Sequence, residues 1–268
     1  MVEHMRVRAW GGVSALNAII SGYGSSMAVS LPVDVTVDLG DENKIVAAGS
    51  SLIEEIIRLL GTNNKFRIRV DSQIPAGMGL KSSSAVSAAV ALALIALIDD
   101  KYDVDRAVRI SAAASKNLKV SITGAHDDAY ASLLGGIVLT SNEEGRLISR
   151  HSIEDKMEVL IGIPRNDRKR INVESLRSLK ELGIELKKMI EEGKWMQAMT
   201  INGMLVAVAN GYDASPAIGA VKEGAIAAGI SGNGPAYFCL VKPGWGIPGS
   251  FEGLKVIRTV PENSGYII

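Results

Sequence analysis

The amino-acid sequence predicts an α+β protein in two layers, because strand-like and helix-like segments are interleaved without a regular strand–helix–strand alternation. From Val29 to Leu39 apolar residues occupy every second position, which is the period of a half-buried strand. Ser50 to Leu60 has the apolar spacing of an amphipathic helix, and Gly61 follows as a typical terminator. Ser82 to Ile98 is apolar on nearly every face, which indicates a buried helix.

Shorter patterns of the same two kinds predict the remaining elements. We expect strands at 66–70, 137–139, 159–163, 237–241 and 254–260, helices at 104–118, 173–192, 194–209 and 215–228, and a glycine-rich turn at 229–234. Pro32 interrupts the first strand and indicates an edge position or a β-bulge. Because the chain is polar and charged from Asn142 to Asp155, we expect an N-terminal domain at 1–150 and a C-terminal domain at 151–268.

Composition narrows the classes of function. The chain has 268 residues, of which 47% are hydrophobic and 22% charged, so it can bury a sizeable core. Its 29 basic and 29 acidic residues cancel, which disfavours nucleic-acid and membrane-surface partners and favours a small molecule. A single cysteine, Cys239, excludes an internal disulfide and suits a reducing cytoplasm.

Membrane targeting is not expected either. The first residues lack the apolar core of a signal peptide, and the longest apolar run, from Ala85 to Ile98, is shorter than the roughly 20 residues that span a bilayer. We therefore predict a soluble cytoplasmic protein. The sequence does not indicate an oligomeric state.

One segment has the construction of a polyphosphate site, because it joins a glycine turn, a cation and three hydroxyls to the start of a helix. Glycines let the backbone approach a ligand, and the free N–H groups and dipole of a helix N-terminus favour an anion. The candidate nucleotide-binding residues are Pro75, Ala76, Gly77, Met78, Gly79, Leu80, Lys81, Ser82, Ser83, Ser84 and Ala85.

Individual roles within this segment follow from side-chain chemistry. Lys81 can neutralise a phosphate oxygen, and Ser83 or Ser84 can reach the Mg²⁺ that accompanies a nucleoside triphosphate. The spacing differs from that of a Walker A loop, because Leu80 separates the glycine from the lysine. A capped helix with a serine-rich first turn is the structural alternative, and composition does not separate the two.

A second candidate site contains two adjacent carboxylates, Asp127 and Asp128, which follow a Thr-Gly pair. One carboxylate in such a loop can accept a proton from an attacking hydroxyl. The alternative is the acidic first turn of an ordinary helix. His126 beside them is predicted to be a packing or loop residue.

A basic loop in the second half contains Arg165, Arg168, Lys169 and Arg170. It could clamp a substrate carboxylate or the phosphates of ATP. We favour a solvated surface loop, because charge runs usually lie on the surface.

Three segments, in chain order, resemble the three motifs of the GHMP kinases. The segment at 75–85 is similar to the second motif, and the lysine after Leu80 is similar to the version in archaeal shikimate kinases. Residues 14–20, with the glycine and two serines at 24–26, resemble the archaeal shikimate kinase form of the first motif. Residues 229–236 resemble the third.

The resemblance implies a fold, an activity and a set of site residues. The fold would be the GHMP kinase fold, with a ribosomal-S5-like N-terminal domain, a ferredoxin-like C-terminal domain and ATP between them. The activity would be ATP- and Mg²⁺-dependent phosphorylation of the shikimate 3-hydroxyl, giving shikimate 3-phosphate and ADP, in the pathway to chorismate and the aromatic amino acids. By position in the motifs, Asp127 is the catalytic base, and the residues at the substrate or closing the loops are Asn17, Asp128, Ser231, Gly232 and Gly234.

Two departures from the family pattern leave alternatives open. Many GHMP kinases have a lysine in the first motif, and this chain has none between Met5 and Ile20. Many also place a magnesium-binding glutamate before the catalytic loop, and residues 106–120 contain no carboxylate. The alternatives are a homoserine or mevalonate-type kinase, or a catalytically silent ATP or small-molecule sensor.

Overall fold

A long antiparallel pair of strands forms the centre of the first layer. In the computed structural model, which describes residues 3–47, 49–165 and 169–268, β1 (His4–Leu16) pairs along its length with β2 (Tyr23–Gly40), and α1 (Ala18–Ser21) connects them. The register shifts between the pairs Trp10–Pro32 and Gly11–Val29, so Pro32 lies at a β-bulge, as predicted.

The other strands of the first sheet lie on the far side of β2. A short strand, β3 (Lys44–Val46), runs parallel to β4 (Lys65–Ser72), which pairs with the second half of β2. The first half of β2 pairs with β5 (Ile137–Ser141), and β6 (Arg146–His151) completes the sheet. The strand order is β3-β4-β2-β5-β6, with β1 added beside β2.

Four of the described helices belong to the first layer: α2 (Ser50–Leu60), α3 (Ser82–Asp99), α4 (Val104–Asn117) and α5 (His126–Leu134). Helices α2, α3 and α5 pack against this sheet, and α4 packs on those three helices. In α3 the residues from Ala88 to Ala96 are at most 1% exposed. By length and composition α3 could cross a membrane, but 67% of it is buried inside the protein, as expected for the central helix of a core.

The second layer has a four-stranded antiparallel sheet in the order β10-β7-β9-β8. Its elements in chain order are β7 (Glu158–Ile163), α6 (Val173–Arg177), α7 (Lys180–Glu191), α8 (Trp195–Asn210), α9 (Ser215–Glu223), β8 (Ala227–Ile230), β9 (Tyr237–Val241), a 3₁₀ turn (Gly249–Phe251) and β10 (Lys255–Thr259). Helix α8 contacts both β8 and β1, so it joins the two layers. The C-terminal residues then return to the first layer, where Ile267 pairs with Arg8 and Trp10 Nε1 donates to the carbonyl of Gly265 over 3.1 Å.

Most predicted elements are confirmed, and the differences have physical causes. The predicted helix at 215–228 is wrong beyond Glu223, because Gly224 ends α9 with φ 109° and residues 227–230 form a strand. The predicted turn at 229–234 is wrong for its first two residues, which belong to that strand. That strand is built of small residues because α8 lies directly on it: a Cβ at Gly203 would come within 2.5 Å of Gly229 Cα. Strands β1, β3 and β6 were not predicted. The domain division at 150–151 stays a prediction, although the first sheet ends at His151 and the second begins at Glu158.

Candidate active site

The glycine-rich turn at 75–81 leads directly into the N-terminus of α3. Gly77, Gly79 and Lys81 have φ of 72°, 78° and 70°, and a Cβ on Gly79 would collide with the carbonyl oxygen of Ser231. The first backbone bond of the helix runs from Ala85 N–H to the Lys81 carbonyl, and no side chain caps the N-terminus. No acidic residue lies in the first turn. This helix end therefore suits an anion from outside the protein.

The predicted nucleotide-binding residues differ in exposure. Ser83 is exposed and Ser84 is only 5% exposed, so a metal ion held through ATP would meet the hydroxyl of Ser83 more readily. Leu80 and Ala85 lie in the core, where their side chains cannot reach a ligand, so any contribution they make comes from the backbone. Pro75, Ala76, Gly77, Met78, Gly79 and Ser82 are all at least partly exposed.

The side chain of Lys81 runs into the protein instead of along the turn. It is buried, with Nζ 2.5 Å from Ser14 Oγ on β1 and 2.7 Å from Asp128 Oδ1. Gly12 makes room for it, since a Cβ there would lie 3.3 Å from Lys81 Cγ. The end of β1, which has no lysine of its own, thus receives a cation from the N-terminus of α3. Contact between Lys81 and a phosphate stays a prediction.

Asp127 is a buried carboxylate in the first turn of α5, with 4% of its surface exposed. Its Oδ2 accepts from Ser26 Oγ over 3.0 Å and its Oδ1 from Asn142 Nδ2 over 2.9 Å. Gly24 allows this approach to β2, because a Cβ there would lie 2.5 Å from the carboxyl carbon.

Electrostatics give this carboxylate the pKa of a base suited to neutral pH. Burial, and next the charge of Asp128, raise the pKa of Asp127 to about 7, although Lys81, Asn142 and Ser26 each act to lower it. A carboxylate that is near half ionised at neutral pH can accept a proton from a bound hydroxyl.

Asn142, in the turn after β5, was missed by sequence reasoning. Thr140 Oγ1 donates to Asn142 Oδ1 over 2.6 Å, which fixes the amide so that Nδ2 points at Asp127 and, over 3.3 Å, at Thr123 Oγ1. Its only sequence signal is a polar residue directly after a buried strand, within the stretch that was predicted as a domain boundary.

The glycine-rich loop after β8 is tied to both other motifs. Ser231 Oγ donates to the Gly79 carbonyl over 2.8 Å, and Gly232 N–H donates to Ser14 Oγ over 3.1 Å. Asn17 Nδ2 donates to the Gly232 carbonyl over 3.1 Å. These bonds fasten the loop to the end of β1 and to the turn before α3. Direct contact of these residues with a substrate stays a prediction.

Gly234 completes the same loop and leaves no room for a side chain. Its φ is 79°, and a Cβ there would lie 2.6 Å from the ring of Tyr212. Only glycine therefore fits the loop at this position.

His126 is buried, and its ring packs against Gly145. The residue is 5% exposed, and a Cβ added to Gly145 would lie 3.1 Å from its Nε2. Burial, and next the charge of Lys116, lower the pKa of His126 to about 4, so the ring is neutral at physiological pH. It is a packing residue, as predicted. In the basic loop Arg165, Lys169 and Arg170 are exposed, and Arg168 lies outside the described residues.

A cavity of about 200 Å³ lies beside Asn142, the amide that donates to Asp127. Asn142 and its partner Thr123 form part of the cavity wall, and Lys116, Glu143 and Arg177 supply charge. Ala18, Ile19, Gly22 and Ile122 complete the lining.

A second cavity of similar size, about 210 Å³, lies between β5, β6 and the turn from α7 to α8. None of its lining residues is among the hydrogen-bond or ion-pair partners of Asp127 and Asp128 in the described ranges. The two cavities have similar volumes but different linings. Of the two, only the first is lined by cations, Lys116 and Arg177, together with Asn142, which binds the buried Asp127.

Known proteins share this sequence and this architecture. Residues 44–136 match the family described as GHMP kinases N terminal domain. A shikimate kinase of Methanothrix thermoacetophila is 32% identical, covering 95% of this chain and 93% of its own, and one of Methanocella arvoryzae is 36% identical, covering 87% and 83%. This chain belongs to the archaeal shikimate kinase family of the GHMP kinases.

The fold agrees with solved structures of other GHMP kinases. The crystal structure of Methanococcus jannaschii mevalonate kinase superposes with a TM-score of 0.70 over 96% of this chain and 98% of that one, at 15% identity. That likeness shows the predicted GHMP kinase fold, and membership of the family shows an ATP-dependent small-molecule kinase. Kinases of this kind use ATP with a metal ion. Across the described ranges, no group of three or more His, Cys, Asp or Glu side chains is placed to hold a metal.

Proposed function

We propose that this chain is a shikimate kinase, which transfers the γ-phosphoryl group of ATP to the 3-hydroxyl of shikimate and releases shikimate 3-phosphate and ADP. The observation that carries the proposal is the position of Asp127: a buried carboxylate with a raised pKa, bonded to Asn142 in the wall of a cavity that contains two cations. Relatives named shikimate kinase, 32% and 36% identical to this chain, support that choice of substrate. The product would enter the pathway to chorismate and the aromatic amino acids.

The N-terminus of α3 is the proposed site of the ATP phosphates. The uncapped end of the helix, the glycine turn and the exposed hydroxyl of Ser83 fit a polyanion, because N–H groups and the dipole point toward it. Mg²⁺, when bound, neutralises charge on the phosphates, with Ser83 the more accessible serine ligand.

Asp127 is the proposed base. It takes the proton of the shikimate hydroxyl as the O–P bond forms, while Asn142 keeps its carboxylate oriented toward the cavity. Lys81 offsets the charge of Asp128, so that two adjacent carboxylates can occupy a buried turn. The remaining rate enhancement comes from holding the shikimate hydroxyl and the γ-phosphate of ATP in line.

Arg177 and Lys116 are the proposed partners of the shikimate carboxylate. Both line the cavity, and within residues 3–47, 49–165 and 169–268 neither one forms an ion pair. They lie on α6 and α4, so the two layers would hold the substrate between them. Glu143 and Thr123 remain for the hydroxyl groups of the substrate.

A coupled assay for ADP tests the proposal. The purified protein is incubated with Mg-ATP and, separately, with shikimate, homoserine and mevalonate. ADP release with shikimate alone is the expected result. Release with homoserine or mevalonate would keep the kinase assignment and discard this substrate, and no release with any of them would favour a ligand sensor.

A further inference from the structure

Ser26 occupies an unusual position between the two carboxylates. It lies on β2 and is fully buried, with Oγ 3.0 Å from Asp127 Oδ2 and 2.7 Å from Asp128 Oδ1. Its neighbour Ser25 is equally buried, yet the Ser25 hydroxyl has no hydrogen-bond partner among the described residues. The two serines thus differ in what they touch and not in their burial.

A serine hydroxyl carries one proton and can donate to only one acceptor at a time. If both carboxylates were ionised, one of the two short contacts at Ser26 would join two oxygens without a hydrogen between them. If Asp127 holds one proton, both contacts become hydrogen bonds: Asp127 Oδ2–H donates to Ser26 Oγ, and Ser26 donates to Asp128 Oδ1. The geometry therefore fits a pair of carboxylates that shares a single proton.

The two ends of this chain of hydrogen bonds differ in access to solvent. Asp127 is 4% exposed, whereas 16% of the Asp128 side chain is exposed. Asp128 is therefore the end of the chain from which a proton can pass on to water.

We propose that Ser26 conducts the proton of the phosphoryl acceptor from Asp127 to Asp128 and so to solvent. The step begins with Asp127 ionised: as the acceptor oxygen bonds to the γ-phosphorus and the bond from that phosphorus to ADP breaks, the acceptor proton moves to the Asp127 carboxylate. The pair then holds the single proton that its geometry fits. Asp127 Oδ2–H then passes a proton to Ser26 Oγ, which gives its own to Asp128 Oδ1. One proton leaves for each phosphoryl transfer, and Asp127 is ionised again. Ser26 acts through Asp127, so it is a positioning residue, and the inference rests on the proposed role of Asp127 as base.

The first test measures kcat, both KM values and solvent isotope effects in mixtures of H₂O and D₂O. For wild type we expect a bowed proton inventory, since more than one proton moves. Ser26→Ala should lower kcat about tenfold, less than the 10²–10⁴ expected for loss of a base, leave both KM values within about twofold and give a linear inventory. Ser26→Thr, which keeps the hydroxyl, should recover kcat, and Ser25→Ala should resemble wild type.

Several outcomes would overturn the relay. A linear inventory in wild type, full kcat in Ser26→Ala, or an equal loss in Ser25→Ala and Ser26→Ala would each do so. The wild-type inventory needs no variant, so it decides the question even if Ser26→Ala fails to fold.

A second test does not require turnover, so it separates this inference from the proposed function. The charged groups that face Asp127 are Asp128 on its own helix and Lys81 on α3, and the Ser26 bond acts to lower its pKa. The shared proton reverses that bond: Asp127 Oδ2–H donates to Ser26, which favours the protonated form. Without it the pKa falls, so the fall in melting temperature with rising pH should end at lower pH in Ser26→Ala, and an end at higher pH would contradict the shared proton. Superimposable curves for Ser25→Ala, Ser26→Ala and wild type would overturn the shared proton even in a protein that phosphorylates nothing.

Discussion

The N-termini of α3 and α5 have the same backbone conformation but carry different charges in their first turns. Each helix follows a non-glycine residue in the left-handed region, Lys81 with φ 70° and Ala125 with φ 54°, and neither has a side-chain cap. The first turn of α3 has no carboxylate, whereas that of α5 contains Asp127 and Asp128. One helix leaves its positive end open to an external anion, and the other occupies it with anions of its own.

The comparison shows how one protein builds a phosphate site and a base side by side. A helix end favours negative charge by about 0.3–1 kcal/mol at an exposed site, which would lower the pKa of a carboxylate. At Asp127 burial and the neighbouring Asp128 outweigh that preference, so its pKa is raised. Lys81, which precedes α3, forms an ion pair with Asp128 in the first turn of α5 and so connects the two helix N-termini.

The largest expected effect comes from removing the charge of Asp127 in the first turn of α5. Asp127→Asn keeps the shape of the side chain, can still accept from Asn142 and can donate to Ser26, but it cannot take a proton. We expect kcat with shikimate to fall about 10²–10⁴-fold, while ATP binding measured by calorimetry stays nearly unchanged. Full turnover in this variant would remove Asp127 from the role of base.

Converting the open end into an acidic one should weaken ATP binding. Ser83→Asp places a carboxylate in the first turn of α3, where it competes with the phosphates for the helix end. We expect KM for ATP to rise about tenfold or more, with KM for shikimate unchanged. Ser83→Asn is the matched neutral control. Equal ATP affinities in the two variants would show that the phosphates bind elsewhere.

The acceptor side is tested at the cavity. Arg177→Gln should raise KM for shikimate about 10- to 100-fold, because a charge-assisted bond to the substrate carboxylate is lost, and leave KM for ATP unchanged. Lys119→Gln, at an exposed lysine that does not line the cavity, is the control. The uncharged methyl ester of shikimate should be a poor substrate for wild type and no worse for Arg177→Gln. A variant that still prefers the acid would place the carboxylate elsewhere.

The smallest expected effect is on stability. Because the folded pKa of Asp127 is raised to about 7, the folded state binds a proton that the unfolded state releases near pH 4, so stability is lost as pH rises between those values. Asp127→Asn lacks this loss. At about pH 8 the variant should melt at least about 2 °C above wild type, and near pH 4 the two should coincide. Equal melting at both pH values would mean that Asp127 titrates normally.

Local sequence patterns predicted the elements that bury either one face or their whole surface, because the spacing of their apolar residues reflects that burial. The alternation in β2 and the apolar run in α3 are of this kind. In β1 the alternation of Met5, Val7 and Ala9 stops at a glycine pair, after which nearly every residue is buried, so the strand was missed. The Ala-Ala-Gly segment of β8 has little intrinsic preference for a strand. It forms one because it pairs with β9 and packs against α8.

For the site, the motifs located the turn before α3 and Asp127, but tertiary structure decides the partners. Nothing local in the sequence turns Lys81 inward, where its ammonium meets Asp128. Asn142 and Arg177 reach the cavity from a turn of the first layer and a helix of the second, both far from Asp127 in sequence. Such residues come together only when both sheets are in place.

The return of the C-terminal residues to β1 affects how the chain can be made. Tyr266 stacks on Tyr102 with 5.7 Å between ring centroids, and its N–H bonds to the Leu133 carbonyl, while Ile267 pairs with Arg8. A ribosome makes these residues after every strand of both sheets, so the first layer stays incomplete until they emerge. A nascent chain stalled just after β10 would therefore expose the edge of β1.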